Sequence, residues 1–268
     1  MGGKLGGMTE LNGVPVTADD LASLALVGYG HFTSMRVEQG GAVRGLNLHM
    51  DRLRRDCQTV FAADLDTERV REYVRHAIRG AAAPLVVRVT IYDPALTLAR
   101  PGDAAEPHVL ITMRSAPSAT AGPLRLQPVV YSRDLPRVKH VGLFGALHQR
   151  ALAQRAGFDD VVFTEPDGTI TEIGTSNIAF VRRDGQLVWP HAEVLVGTTM
   201  RLLNQVRDEE VLTEHVTLTQ LPDYAGAVAT NAATGVRPVI SIDEHHWPEH
   251  EVVEKLRAQY ESIPPQRI

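Results

Sequence analysis

Short strands separated by glycine turns fill residues 159–190, and this run most limits what the chain can fold into. The segment reads DDVVFTEPDGTITEIGTSNIAFVRRDGQLVWP, with Asp-Gly at 167–168 and again at 184–185. Asp-Gly between apolar, β-branched stretches is a strong signal for a hairpin turn. A further strand, turn and strand follow at 224–243. We therefore expect the second half of the chain to form a strand-rich sheet that curls into a barrel-like shape.

The first half of the chain mixes helices with strands. Apolar residues at Leu48, Leu53, Cys57 and Phe61 recur at helical spacing, and a second helix is predicted to end at Gly80. The stretches HFTSMRV, PLVVRVTIY and PHVLITMRS around these helices are rich in β-branched residues and predict strands. This half is therefore expected to be an α+β lobe.

A linker is predicted at 115–123, where SAPSATAGP is small, polar and punctuated by proline and glycine. We predict an N-terminal α+β domain at 8–117 and a larger C-terminal domain at 123–268. A chain of 268 residues is long enough for each domain to have its own core. The opening MGGKLGG, residues 1–7, is interpreted as an expression remnant ahead of a natural start at Met8.

Charge and composition exclude several classes of protein. The formal net charge is −5 and the pI about 6.1, which disfavours a nucleic-acid-binding face. No apolar stretch reaches the ~20 residues of a membrane helix, so no membrane partner is expected. The single cysteine, Cys57, fits a reducing compartment. We therefore expect a cytoplasmic protein.

One lysine stands out in the middle of the chain. The sequence contains only three lysines, at positions 4, 139 and 255, against 24 arginines. Lys139 precedes an apolar helix predicted over residues 142–157, and a cation is unfavourable near the positive end of a helix dipole. It is either an ordinary surface lysine or a lysine used as an amine. A Schiff base needs a primary amine that can lose its proton, which arginine cannot do.

Three other places carry residues suited to a site, and each also has an ordinary explanation. Glu172 ends a short predicted strand. It is either an ordinary surface carboxylate or the partner of a buried cation. Thr198 and Thr199 follow Gly197 at a predicted helix start, either as plain N-caps or as part of an anion site. Arg52 lies in a run of three arginines that is usually a solvated face. If one of these three arginines points into the protein, it requires an anion as its partner.

Motifs in the same order and near the same spacing occur in a known family. They are GYGHFTSMRV followed by HMDRL, VKHVGLFGAL, TEIGTSNIAFV, and LVGTTMRLL followed by TNAATGVRPV. The chain resembles the class IV, or fold type IV, pyridoxal-phosphate (PLP) enzymes. That group includes branched-chain and D-amino-acid aminotransferases and aminodeoxychorismate lyase. The resemblance runs from about Asn12 to Asp243 and implies a two-domain α+β fold with a small N-terminal domain and a larger C-terminal pseudo-barrel domain.

The resemblance also implies roles for individual residues. Lys139 matches the lysine that binds the cofactor aldehyde as a Schiff base, and Glu172 matches the carboxylate facing the pyridine nitrogen. Arg52 matches the arginine on the cofactor phosphate, where its planar fork suits a bidentate contact. The remaining cofactor positions are Ser176, Asn177, Gly197, Thr198, Thr199, Asn231 and Ala232. The positions beside the substrate are Phe32, Phe144 and Leu96.

The chain departs from the family pattern in places. TNAATG puts Asn231 and Ala232 where a glycine and a threonine are usual, so the hydroxyl contact is lost or comes from Thr230 or Thr234. Leu96 and Leu98 occupy the positions of the Arg-x-His clamp of the D-amino-acid enzyme. A group for the substrate carboxylate is still needed, and backbone N–H groups of the 230–234 turn are candidates.

The leading hypothesis is an aminotransferase acting on an amino acid, expected to be apolar, and a 2-oxo acid. The alternative is a carbon–carbon lyase similar to aminodeoxychorismate lyase, which VKH and TNA favour and GTSN and FGAL disfavour. A third reading is a PLP- or metal-binding module without catalysis. DEHHWPEHE offers metal ligands, but the segment looks solvent-exposed, so no functional metal site is expected; its candidate ligands are His245, His246, Glu249 and His250. The resemblance alone implies a homodimer.

Overall fold

The computed structural model describes residues 9–117, 122–207, 209–248 and 251–268. Its α-helices are α1 (Ala18–Leu26), α2 (Leu46–Phe61), α3 (Thr67–Ala77), α4 (Phe144–Arg155), α5 (Thr198–Val206) and α6 (Glu251–Ser262). The strands of the first half are β1 (Glu10–Leu11), β2 (Val14–Pro15), β3 (His31–Val37), β4 (Ala42–Val43), β5 (Leu85–Tyr92) and β6 (His108–Ser115). The strands of the second half are β7 (Leu124–Val130), β8 (Asp160–Thr164), β9 (Ile170–Ile173), β10 (Asn177–Arg182), β11 (Leu187–Pro190), β12 (Val211–Glu214), β13 (Tyr224–Asn231), β14 (Gly235–Ile242), β15 (His245–His246) and β16 (Gln266–Arg267).

The chain divides into two compact units. The first comprises Met1–Ala116, Val138–Gly142 and Pro265–Ile268, and the second comprises Pro117–Arg137 and Leu143–Pro264. The domains predicted from sequence are continuous, at 8–117 and 123–268, whereas in the structure two short segments, Val138–Gly142 and Pro265–Ile268, also belong to the first unit. The predicted linker falls partly outside the described residues, as do Met8 and the proposed expression remnant. The domain bounds 8–117 and 123–268 stay a prediction.

The first unit is built on a five-stranded sheet in the order β2-β1-β6-β5-β3. The β1–β2 hairpin turns at Asn12 and Gly13, whose φ angles of 49° and 82° are the left-handed values that an Asn-Gly turn supplies. Helix α2 begins after Gly45 and packs an apolar stripe, Met50, Leu53 and Cys57, into a core shared with β3 and β5. The α+β lobe predicted for this half is therefore present.

A short segment around Lys139 belongs to this first unit, although the residues on both sides of it belong to the second. His140 forms a bridge with His31 at the start of β3. Val141 donates its N–H to the carbonyl of Gly30, and Phe32 donates its N–H to the carbonyl of Lys139, at 2.9 and 2.8 Å. Residues 138–142 therefore add an irregular edge to β3, which the sequence pattern did not indicate.

The second unit is built on a nine-stranded sheet in the order β12-β11-β10-β13-β14-β7-β8-β9, with β15 paired to β14. Most neighbours are antiparallel, but β7 runs parallel to both β8 and β14, and β11 runs parallel to β12. Gly168 and Gly185 have φ angles of 84° and 88°, so both Asp-Gly turns form where the sequence predicts them. The core of this unit lies against the buried face of the sheet, around Leu126, Phe180 and Trp247.

Helix α4 buries small apolar residues and exposes its large ones. Ala146 and Ala153 are its buried residues. Phe144, Leu147 and Leu152 are 82%, 50% and 43% exposed. These three positions lie on one face, since they follow helical spacing. The predicted helix therefore exists, but it presents an apolar face to solvent in the single chain.

Candidate active site

A polar stripe on helix α2 enters the interior of the first unit. His49, Arg52 and Asp56 are 1%, 6% and 0% exposed, and they recur at the i, i+3 and i+7 positions of one helix face. Arg54 and Arg55 of the same helix are exposed. Of the three clustered arginines, Arg52 is therefore the one turned inward, as its motif position implies.

Lys139 is held by its backbone on both sides. Its N–H donates to Asp56 Oδ2 at 3.0 Å, and its carbonyl accepts from the N–H of Phe32. Its side chain is half-buried, with Nζ 4.9 Å from the ring centre of Phe32. Phe32 itself is 6% exposed. The lysine and the aromatic residue predicted to lie near the site are thus in contact.

His49 is a functional candidate that the motif assignments missed. Its Nδ1 lies 2.7 Å from Thr33 Oγ1, and Thr33 is fully buried. Burial is the main reason that the pKa of His49 falls well below its usual value, and the positive charges of Arg52 and Lys139 lower this pKa further. The lowered pKa favours a neutral imidazole at His49.

Arg88 is a second residue that sequence reasoning missed. Its guanidinium carbon lies 3.6 Å from the ring centre of Phe32, and its Nε donates to Thr90 Oγ1 at 3.2 Å. No carboxylate among the described residues forms an ion pair with it. Burial lowers the pKa of Arg88 to about 10. The available signal was an arginine inside the otherwise apolar strand LVVRVTIY.

Glu172 pairs with a cation in the second unit. Arg133 Nε donates to Glu172 Oε1 at 2.7 Å, and both side chains are 10% exposed. Arg133 Nη2 also donates to the carbonyl of Pro136, at 2.6 Å. Of the two explanations considered for Glu172, pairing with a buried cation applies, and the partner was not identified from sequence.

The N-terminus of α5 carries buried hydroxyls without partners. Gly197 is its N-cap and no side chain caps the helix, so plain N-capping by threonine is the wrong reading of this motif. Thr198 and Thr199 are 4% and 1% exposed, and their Oγ1 atoms have no hydrogen-bond partner among the described residues. Thr230 Oγ1, also in the second unit, is in the same situation.

Such a helix end suits an anion. An orphaned buried hydroxyl costs roughly 1–3 kcal/mol unless a ligand satisfies it. Free N–H groups and the helix dipole attract negative charge at the same place. The donor set at Thr198 and Thr199 therefore fits the phosphate of the cofactor that the motifs imply.

Asn177 fixes the approach to this helix. Its Nδ2 donates to the carbonyl of Leu195 at 2.7 Å, and its Oδ1 accepts the N–H of Gly197 at 3.1 Å. Asn177 opens β10, where it pairs with Thr230 of β13. The amide thus links the sheet to the start of α5, which is a positioning role.

Asn231 organises the turn after β13. Its Oδ1 accepts the N–H groups of Ala233 and Thr234 and the hydroxyl of Thr234, each at 3.0 Å. Its Nδ2 donates to Ser176 Oγ at 2.9 Å. Two N–H groups suggested for the substrate carboxylate are therefore already bonded. The Thr234 hydroxyl is likewise engaged, whereas the Thr230 hydroxyl has no partner among the described residues. Ala232 lies half-buried in this turn.

The remaining predicted positions are more scattered. Leu96 packs in the hydrophobic core of the first unit, while Leu98 is 73% exposed and Phe144 lies on the exposed face of α4. Of the proposed metal ligands, Glu249 and His250 lie outside the described residues. Within the part of the chain that the structure describes, no cluster of three potential ligands occurs. In that same part, no helix is long and apolar enough to cross a membrane.

Comparison with known proteins identifies the family. The model of the family described as amino-transferase class IV matches residues 30–242, which is more than half of the chain. The chain belongs to this family. The class IV resemblance inferred from the motifs is thus confirmed. A relative, the probable branched-chain-amino-acid aminotransferase of Rickettsia felis, is 29% identical over 126 residues. That stretch covers 44% of this chain and 43% of the relative, so less than half of the relative's length is matched.

Solved structures confirm the fold of this class IV chain. A branched-chain aminotransferase from Thermoproteus uzoniensis with norvaline superposes with a TM-score of 0.83, at 22% identity, covering 96% of this chain and 94% of the other. A PLP-bound hypothetical aminotransferase from Mycobacterium tuberculosis gives 0.81 at 18% identity, covering 96% and 98%. The 4-amino-4-deoxychorismate lyase of Pseudomonas aeruginosa gives 0.78 at 23% identity, covering 94% and 97%. The predicted two-domain α+β fold with a curled second sheet is therefore confirmed.

Proposed function

We propose that this class IV protein is a PLP-dependent aminotransferase that moves an amino group between an apolar amino acid and a 2-oxo acid. The observation that carries the proposal is the position of Lys139, a primary amine beside buried Phe32 on a segment bound to β3. Family membership supports the reaction type. The Rickettsia relative and the norvaline complex support an apolar donor, and the PLP-bound neighbour supports the cofactor.

Lys139 is the proposed catalytic base. The bound cofactor would supply an aldehyde carbon for the amino group and a ring that withdraws electrons. The amine of Lys139 would hold the aldehyde of the cofactor when no substrate is bound. Its Nζ would also accept the α-proton of the substrate and donate a proton in return. A primary amine can fill both roles, whereas a guanidinium can fill neither.

Glu172 is proposed to face the pyridine nitrogen and keep it protonated. A carboxylate here must stay ionised and fixed in direction. The 2.7 Å contact with Arg133 supplies both, since the guanidinium stabilises the charge of Glu172 and restrains one of its oxygens. Arg133 is therefore a positioning residue in this proposal.

Arg52 in the first unit and the start of α5 in the second are each proposed, from their motif positions, as phosphate-binding groups. Arg52 supplies the charge, and the hydroxyls of Thr198 and Thr199 supply hydrogen bonds that they otherwise lack. Asn177 and Gly197 set the position of that helix end. Asn231 and Ala232 lie in the turn after β13, whose shape depends on the bonds of Asn231, and Ser176, just before β10, accepts one of these bonds.

Arg88 is the proposed partner of a substrate carboxylate. An anion buried without a partner costs several kcal/mol, so a cation is required. Arg88 has no carboxylate partner among the described residues and stacks on Phe32 beside Lys139. It thus fills the role first sought in the 230–234 turn. Roles of Phe144 and Leu96 near the substrate stay predictions.

Covalent trapping tests the proposal. Incubation with PLP, reduction with borohydride and peptide mapping should place the label on Lys139 and none on Lys255. Apolar amino acids should convert the bound aldehyde to the amine form, and a 2-oxo acid should restore it. Label elsewhere, or no label, would rule out Lys139.

The lyase alternative is supported by the VKH and TNA motifs and by the similar fold of the lyase from Pseudomonas aeruginosa. A lyase would release pyruvate from aminodeoxychorismate and return to the aldehyde form without a 2-oxo acid. Rapid pyruvate formation, with no spectral change from any amino donor, would favour the lyase over the aminotransferase.

A homodimer is proposed through the exposed face of α4, formed by Phe144, Leu147 and Leu152. Exposed apolar side chains grouped on one helix face are typical of an interface. Light scattering should give twice the chain mass, and Phe144→Asp should shift it toward the monomer. A cytoplasmic location is proposed from the single buried cysteine alone.

A further inference from the structure

Asp56 is a buried carboxylate for which the family motifs imply no role. It is 0% exposed and lies on α2, one turn beyond Arg52. Its Oδ1 accepts from Arg55 Nε at 3.0 Å and from Arg55 Nη2 at 2.7 Å. Its Oδ2 accepts the backbone N–H of Lys139 at 3.0 Å. One carboxylate oxygen of Asp56 thus binds a side chain, and the other binds the backbone of Lys139.

An ion pair with Arg55 does not by itself explain why Asp56 is buried. The side chain of Arg55 is 51% exposed, so the same pair would form at the surface without the cost of removing a carboxylate from water. The Lys139 N–H, in contrast, lies in an irregular segment outside any helix or ladder of strands. A backbone N–H in such a place requires a partner, and Asp56 provides it.

We propose that Asp56 is the positioning residue for Lys139: its buried carboxylate anchors the backbone from α2 while Phe32 anchors it from β3. The inference rests on the proposed function. With its N–H and C=O both fixed, the backbone of Lys139 cannot shift without breaking one bond. Because misplacing a reacting group by about 1 Å can cost a hundredfold in rate, such an anchor matters for the amine.

The three lysines allow a direct test on the full chain, with and without PLP. Labelling with ¹⁵N-lysine gives at most three amide signals, from residues 4, 139 and 255. The signal lost in Lys139→Arg identifies Lys139. In Asp56→Ala, hydrogen exchange of the Lys139 amide should accelerate at least tenfold while Lys255 in α6 is unchanged. Asp56→Asn should restore most of the protection, because its amide oxygen can still accept the N–H while exposed Arg55 turns to solvent.

Asp51→Ala is the matched control, since Asp51 lies on the same helix with its side chain 57% exposed. Unchanged exchange at Lys139 in Asp56→Ala would overturn the inference. So would equal acceleration of Lys139 and Lys255, or no rescue by asparagine, because either would assign Asp56 a general structural role.

The second measurement is the rate at which borohydride-trappable cofactor attaches to Lys139. Asp56→Ala should slow attachment at least tenfold relative to Asp51→Ala, and Asp56→Asn should recover most of it. Attachment at the wild-type rate in Asp56→Ala would overturn the inference and leave the proposed function intact. If wild-type protein attaches no cofactor, the proposed function fails, while the exchange measurement still decides whether Asp56 anchors Lys139.

Discussion

Removing Arg133 should destabilise the second unit, because it leaves Glu172 buried without its cation. Both side chains are 10% exposed and 2.7 Å apart. Breaking a buried pair by deleting one partner costs roughly 3–5 kcal/mol. Because both side chains keep some contact with water, we take the lower end, about 3 kcal/mol, for Arg133→Met. At roughly 2–4 °C per kcal/mol, the melting temperature should fall by about 6–12 °C.

The assay is thermal unfolding of the cofactor-free protein, followed by circular dichroism. If the two units melt separately, only one transition should move. Arg137→Met is the matched control, since Arg137 pairs with Glu193 at 2.5 Å but both side chains are largely exposed. That variant should melt like wild type, because an exposed ion pair contributes little.

A double variant distinguishes an unpaired charge from lost packing. In Arg133→Met/Glu172→Gln no charge is left buried, so more than half of the lost stability should return. If Arg133→Met melts within about 1 °C of Arg137→Met, against the expected 6–12 °C, the pair is not a buried ion pair. If the double variant is no more stable than Arg133→Met, the cost lies in packing and the reasoning from charge is wrong.

Three further predictions follow from buried polar groups. Replacing Thr198 and Thr199 by valine removes two buried hydroxyls that lack partners, so the melting temperature of the cofactor-free protein should stay unchanged or rise. The same variant should bind PLP about tenfold more weakly in equilibrium dialysis. Binding equal to wild type would contradict the anion site. His31 is fully buried with a pKa lowered to about 4 by burial, so between pH 6.5 and 4 the unfolded chain binds a proton that the folded chain does not. The free energy of unfolding should therefore fall as the pH drops through this window, and His31 should account for about 3 kcal/mol of the loss. In His31→Gln, the melting temperature should depend less steeply on pH than in wild type. If the two plots of melting temperature against pH run parallel, this reasoning is wrong. Arg88→Met should raise the KM for the amino acid about a hundredfold and leave PLP binding unchanged, whereas an unchanged KM would exclude Arg88 from carboxylate binding.

Local signals predicted most elements because they are short-range. Asn12-Gly13, the Asp-Gly turns and the apolar stripe of α2 each fix a structure within a few residues. The start of α5 at Thr198 was likewise readable from Gly-Thr-Thr, although the roles of its hydroxyls were not. Capping and orphaned hydroxyls look identical in sequence, because only tertiary packing decides whether water or protein surrounds them.

Long-range pairings were the part that sequence did not reveal. Glu172 and Arg133 are 39 residues apart, and Asp56 and Lys139 are 83 apart, so no periodicity links either pair. Arg88 was missed for another reason, since a single charge in an apolar strand is usually an edge residue pointing to solvent. A usable clue did exist on α2, where His49, Arg52 and Asp56 follow helical spacing beside the apolar stripe.

The polar stripe of α2, formed by His49, Arg52 and Asp56, shows how charged residues on one helix face come to lie in the interior of the first unit. The rise of 1.5 Å per residue places His49 about 10 Å from Asp56 along the axis, with Arg52 between them. The neighbouring stripe of Met50, Leu53 and Cys57 fixes the rotation of the same helix, because it is buried in the core. The directions of all three polar groups are therefore set by the packing of one helix. Under the proposed roles, a cavity made at Leu53 would disturb the anchor of Lys139 and the phosphate contact of Arg52 together, although Leu53 is not proposed to touch either the cofactor or the substrate.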